Sequence, residues 1–134
     1  CDTRRRCLFG TRTKLIDDIT SWIHDPDASR GGVLWLSGPV GTGKSSVANT
    51  IAWLLKGLGR LGASFRFNKQ VDPSAVFRQI AYQLARINNA ARDAILSVLK
   101  QKGDIASAAL ADQAMSVVVQ PLRAVDLVGP VVIV

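Results

Sequence analysis

Gly38-Pro39-Val40-Gly41-Thr42-Gly43-Lys44-Ser45 is the stretch on which the reading of the fold turns. It fits the pattern G-x-x-x-x-G-K-[ST], the loop that wraps phosphates between a strand and a helix. Glycines at 38, 41 and 43 let the backbone take conformations that a side chain would obstruct. Successive N–H groups then turn inward as a concave anion nest. Lys44 reaches the β- and γ-phosphates as a mobile point charge, and the Ser45 hydroxyl is the candidate Mg²⁺ ligand. A helix opening at Lys44 adds its positive end to the same place. An eight-residue pattern with four fixed positions also arises by accident, so the flanks decide. Val33-Leu34-Trp35-Leu36 is a continuous apolar run, expected as a strand covered on both faces. A helical pattern follows from Lys44 to Leu55, broken by Gly57 and Gly59.

Working outward, Thr13 is placed to cap a helix over about 14–24, with Leu15, Ile16, Ile19, Trp22 and Ile23 on one stripe. Asp25-Pro26-Asp27 stops it. Gly62 to Phe67 reads as a second strand. Asp72-Pro73 opens a helix that carries Val76, Phe77, Ile80, Leu84 and Ile87 at helical spacing. Asn88 or Asn89 starts another, with Ile95, Val98 and Leu99 inside and Gly103 just past its end. Ser107 is the candidate cap of a third, ended before Pro121. The last residues, Val131–Val134, form a β-branched apolar run expected as a buried strand. Strands separated by helices give an α/β fold class with a parallel sheet and helices on its faces, in three layers. We divide it into a lead-in helical region, 1–30, and a partial phosphate-loop domain, 31–134.

The chain has 134 residues, 48% hydrophobic and 20% charged, enough apolar content to bury a core. No apolar run approaches the ~20 residues that span a bilayer, so neither a membrane span nor a membrane partner is expected. Two cysteines, Cys1 and Cys7, cannot staple a small secreted fold and lack partners at metal spacing. A reducing, cytoplasmic compartment is the expectation. Net charge is +7, from 17 basic and 10 acidic residues. Apart from Arg4-Arg5-Arg6 the basic residues are scattered as solvated helix faces, without the aromatic interleaving of single-strand binders. Nucleic acid is therefore not an expected partner. His24 is expected as a helix-end or surface residue. Trp22, Trp35 and Trp53 are expected as core packing, since each sits in an apolar pattern.

Nucleotide hydrolysis needs more than the loop. An acidic residue at the tip of a second strand usually holds Mg²⁺, with a water-positioning group nearby. Every acidic residue here is Asp, with no Glu anywhere. Asp104, Asp112 and Asp126 fall on helices or loops, as caps or solvated charges. The candidate acidic strand is Val131–Val134, and the tip would lie beyond it. The chain starts without Met and stops on that strand, so the expectation is a piece of a longer protein, incomplete before the acidic (Walker B) residues.

Several stretches together carry a resemblance: Cys7-Leu8-Phe9-Gly10-Thr11-Arg12, Ile19 with Trp22-Ile23, and Val33 to Gly38 entering the loop. Leu61 to Phe67, Ile80-Ala81-Tyr82-Gln83-Leu84-Ala85, Gln113 and Gln120-Pro121-Leu122 continue it. Their order and spacing resemble a NACHT-type domain, and more narrowly the nephrocystin-3-like N-terminal P-loop NTPase domains of fungal NOD-like (STAND) proteins. The resemblance implies a signal-transduction NTPase that switches between closed and oligomeric states as it binds and hydrolyses ATP, or GTP, with Mg²⁺. Self-association of the full-length protein and a following repeat region are also implied. The segment before the phosphate loop would lie near the nucleotide base, adding Phe9, Gly10 and Arg12, beside Leu8 and Thr11, to the candidate site of Gly38 to Ser46, with a surface charge as the other reading of Arg12. That contiguous set is Gly38, Pro39, Val40, Gly41, Thr42, Gly43, Lys44, Ser45 and Ser46. Two departures stand out: Arg66 occupies a place where an aromatic is common, and the family's acidic motif and a further strand would follow Val134. The sheet is then expected to have a gap with apolar edges, and the isolated piece to be poorly soluble or molten.

Two other classes stand beside the switch. A non-hydrolysing nucleotide-binding interaction or scaffold module, or a truncated relic, would keep Lys44 and Ser45 without turnover. A small-molecule kinase would need an arginine-rich lid, and residues 68–130 hold only amphipathic helical patterns.

Overall fold

The computed structural model describes residues 6–25, 27, 32–67, 72–102, 105–125 and 129–134. They form two compact units, Cys1–Leu61 with Val134, and Gly62–Ile133. This division follows packing, and differs in kind from a cut at residue 30.

In the first unit, α1 (Thr13–His24) packs against α2 (Lys44–Gly57). Ile19 and Ile23 on α1, and Val47, Ile51 and Leu55 on α2, are buried at the i, i+4 spacing that lines one helix face. Arg12, rather than Thr13, takes the cap position of α1. It does so in the left-handed region (φ 58°), and no side chain caps the helix. The Arg12 carbonyl still accepts the first helical bond, from Ile16 N–H at 3.0 Å. At the other end His24 Nδ1 donates to the Thr20 carbonyl at 2.8 Å, as its helix-end reading requires. Helix α2 runs through Gly57 and ends in a left-handed turn at Gly59 (φ 67°). Arg60 N–H donates to Leu55 O at 2.8 Å and Gly59 N–H to Lys56 O at 3.2 Å. This paired arrangement satisfies carbonyls that a helix end leaves open.

The expected strand over Val33–Leu36 is not formed. No ladder among the described residues includes it, and Val33 and Trp35 are 85% and 86% exposed. An apolar run shows that residues tolerate burial, whereas a strand exists only when a neighbour completes its hydrogen bonds. The tryptophan expectation fails with it. Trp35 is exposed, Trp22 is half-buried, and Trp53 is exposed with the Arg6 guanidinium 4.3 Å above its ring.

The second unit is mainly helical: α3 (Val76–Ile87), α4 (Asn89–Lys102), α5 (Leu110–Ala114) and α6 (Gln120–Arg123). Strand β1 (Leu61–Ala63), which starts at the unit boundary, pairs in parallel with β2 (Val132–Ile133). Of the three-layer α/β fold expected, the described residues thus show mixed helices with one small parallel sheet. β2 is half-exposed rather than buried, with Ile133 43% accessible.

β1 is half the expected length because a side chain replaces its ladder at Ser64. The Gln83 amide accepts from Ser64 N–H at 3.0 Å and donates to Ser64 O at 3.1 Å. Beyond it Phe65 packs on the core while Phe67 is exposed, the two rings meeting edge to face at 5.0 Å. The core joins Ala63, Val76, Ile80, Ala81, Leu84, Ile95, Ile105, Val117 and Val118. A turn of 3-10 helix, Pro73–Ala75, leads into α3, and Ala75 N–H donates to Asp72 O at 3.0 Å. Ile87, expected inside, is 52% exposed at the last position of α3.

Asn88 is the cap of α4: its side-chain oxygen accepts from Ala91 N–H at 2.9 Å. Ile95 is buried and Val98 half-buried, but Leu99 is 40% exposed at the edge of the stripe. Gly103 lies outside the described residues.

The third helix departs further. Ser107 ends a 3-10 turn (Ile105–Ser107), and Ala109 precedes α5 with no side-chain cap. The chain then passes through a π turn, Met115–Val119, and α6 carries on through Pro121. Proline breaks a helix interior because it lacks an N–H and its ring meets the carbonyl four residues back. Pro121 instead sits in the first turn of α6, where the widened π turn has already displaced the regular bonding.

Candidate phosphate-binding site

The loop that ends at α2 is built from backbone conformations. Gly38, Gly41 and Gly43 have φ of 152°, 83° and 83°, values an L side chain rarely adopts. At Gly41 a Cβ would meet nothing within 4 Å, so conformation alone demands glycine there. The Thr42 hydroxyl donates to Pro39 O at 2.9 Å and closes the loop across its base. Lys44 Nζ folds back over the loop, donating to Gly38 O at 2.8 Å and Pro39 O at 2.7 Å. The ammonium is thereby held beside the glycines.

Gly43 caps α2, and its carbonyl accepts from both Ser46 N–H and Val47 N–H at 3.0 Å. Of the first-turn amides Ser46 N–H is thus satisfied by Gly43 O, while those of Lys44 and Ser45 have no acceptor within the helix. Ser45 is exposed on that turn, and Ser46 is half-buried with its carbonyl accepting from Thr50 Oγ1 at 2.8 Å. Pro39 and Val40 are exposed at the loop's tip, Val40 fully. The set Gly38 to Ser46 is therefore contiguous in space as in sequence.

The earlier segment is tied to α2 by two contacts. Cys7 N–H donates to Thr50 Oγ1 at 2.9 Å, and Arg6 lies over Trp53. A tight turn follows: Thr11 N–H and Oγ1 donate to Leu8 O at 3.1 and 2.7 Å, and Gly10 is left-handed (φ 74°). Phe9 and Leu8 point to solvent, 107% and 80% exposed. Arg12 is exposed as well, but its guanidinium lies against the phosphate loop, Nη2 3.0 Å and Cζ 3.2 Å from where a Gly43 Cβ would be. Of the three residues added by resemblance, Arg12 is thus brought to the loop.

Thr50 and Trp53 anchor this arrangement and were not singled out for the site. Thr50 gave no signal beyond its place one turn after Ser46, and Trp53 read as core. The groups the loop brings together, a helix end with the Lys44 ammonium and the Arg12 guanidinium beside it, are of the kind that suit an anion. Glycine cradle, lysine and adjacent hydroxyl all suit a Mg²⁺-bound polyphosphate, with Ser45 as the residue that would hold the metal. Among the described residues there is no cluster of three or more His, Cys, Asp or Glu. Asp112 is exposed in the first turn of α5, while Asp104 and Asp126 lie outside the described residues. Cys7 is a free, half-buried thiol, and Cys1 lies outside the described residues.

No curated protein and no solved structure matches the chain. A family model does match, over residues 10–134, and its span takes in the whole phosphate loop and every element of both units: the chain belongs to the nephrocystin 3, N-terminal, family.

Proposed function

We propose that this chain binds the polyphosphate of a nucleoside triphosphate with Mg²⁺, and serves as the nucleotide-binding part of a signal-transduction NTPase switch. ATP is the favoured nucleotide and GTP the alternative. One observation carries the reading: three left-handed glycines lead straight into the first turn of α2, with the Lys44 ammonium 2.7–2.8 Å from two loop carbonyls. Family membership agrees with an NTPase-associated domain. The finer architecture we assign is the three-layer P-loop fold, completed by chain beyond the sheet described above. Hydrolysis and self-association belong to the full-length protein on this reading, in the cytoplasm. No described helix is long and apolar enough to cross a membrane.

The test is an equilibrium titration with MgATP and MgGTP. Lys44→Ala should weaken binding at least about tenfold, the value of one hydrogen bond to a charged group. Ser45→Ala should weaken it in Mg²⁺ and leave metal-free binding unchanged. Equal affinity of wild type and Lys44→Ala would remove the phosphate-site assignment. Phosphate release measured on the full-length protein then separates a hydrolase from a module that only binds.

A further inference from the structure

Arg12 has a placement that its neighbours Leu8 and Phe9 do not share. It is the one non-glycine residue among those described with positive φ, at 58°. An arginine in that region costs on the order of 1–2 kcal/mol, so the surrounding turn must enforce it. The Leu8–Thr11 turn and the two ties of Arg6 and Cys7 to α2 do so, and together they deliver the side chain to Gly43. Once there, the guanidinium makes no ion pair or hydrogen bond with any protein group among the described residues. It lies at the glycine that starts α2, on the same loop as the Lys44 ammonium. A planar group with five donors, held at an anion-binding turn with no carboxylate on it, is fitted to phosphate oxygens.

We infer that Arg12 is a phosphate-binding residue, a second cation that grips the polyphosphate beside Lys44, and not a contact to the nucleotide base. This rests on the nucleotide reading above and assigns a part of the ligand to a residue that resemblance placed near the base. Gly43 is required by its φ of 83°, where any Cβ is strained, and the Arg12 guanidinium packs against the place a Cβ would take.

The experiment uses probes that separate phosphate from base: Mg-tripolyphosphate, which has no base, MgATP, and adenosine. Each is titrated against the wild-type chain, Arg12→Ala, Arg12→Lys and Lys44→Ala, with circular dichroism to confirm that the variants are folded. Arg12→Ala should lose about 10- to 100-fold in affinity for tripolyphosphate and for MgATP alike, the worth of a charge-assisted hydrogen bond. Its adenosine affinity should not change. Arg12→Lys should recover part of the loss, because the charge remains while the fork is gone. If Arg12→Ala weakens MgATP but leaves tripolyphosphate untouched, Arg12 serves the base and the inference is overturned. If both ligands bind Arg12→Ala as they bind wild type while Lys44→Ala weakens them, the inference again fails and the nucleotide reading survives. If neither phosphate ligand binds the wild-type chain, both fall. Should Arg12→Ala misfold, Arg12→Lys and Arg12→Gln carry the same comparison.

Discussion

The phosphate loop and the core of the second unit hold their shapes by different means. The loop keeps almost no apolar contact: Val40 is fully exposed, and order comes from three positive φ angles, the Thr42 hydroxyl and the lysine folded over two carbonyls. The core has the opposite character, with Leu84, Ala63 and Val117 each 1% exposed and packed with the faces of α3 and α4. On the function proposed above, the contrast teaches that binding and stability would rest on separate groups. A change in one region should leave the other's property in place.

The largest test of that separation is Leu84→Ala. Removing a buried leucine side chain costs about 2–5 kcal/mol through lost transfer energy and the cavity left behind. Urea unfolding should show this as a lower midpoint, with MgATP affinity of the folded fraction unchanged. A parallel loss of affinity would break the separation.

Gly43→Ala should show where that separation stops, since it strains the backbone as well as the site, with a smaller effect. Alanine at φ 83° costs roughly 1–2 kcal/mol in stability, and its Cβ would displace the Arg12 guanidinium. Both denaturation and tripolyphosphate titration should register it, whereas the core's unfolding cooperativity should not. The smallest effect is Asn88→Ala. It deletes the cap bond to Ala91 and should cost about 1 kcal/mol, with no change in phosphate binding.

What could be read from the sequence divides along a related line. The phosphate loop, α1, α2, α3 and the start of α4 at Asn88 or Asn89 are legible because each depends on residues within one or two turns of chain. Helical stripes such as Val76, Ile80 and Leu84 carry their own period, and Gly-Lys-Ser before a helix carries its own geometry. Strands were less legible because their partners lie elsewhere. Val33–Leu36 has the composition of a strand and no ladder among the described residues. β1 stops at Ala63 because a glutamine from α3 takes the place of a neighbouring strand at Ser64. Within the candidate site, Gly38 to Ser46 could be named from the pattern alone. Arg12 was named by resemblance, but its position over Gly43 depends on Thr50, Trp53 and a left-handed backbone that no local pattern announces.

The π turn at Met115–Val119 bears on how this chain tolerates changes in length. It buries Ser116, Val117 and Val118 in succession, three neighbours that a narrower helix would fan around its axis. One wide turn of helix holds a surplus residue. Losing one residue there would tighten the turn to an ordinary helix, and Pro121 and Leu122 would keep their core side because the wide turn already absorbs that residue. A one-residue deletion in this stretch is therefore taken up by the turn itself, whereas the same deletion in an ordinary helix would rotate the chain that follows.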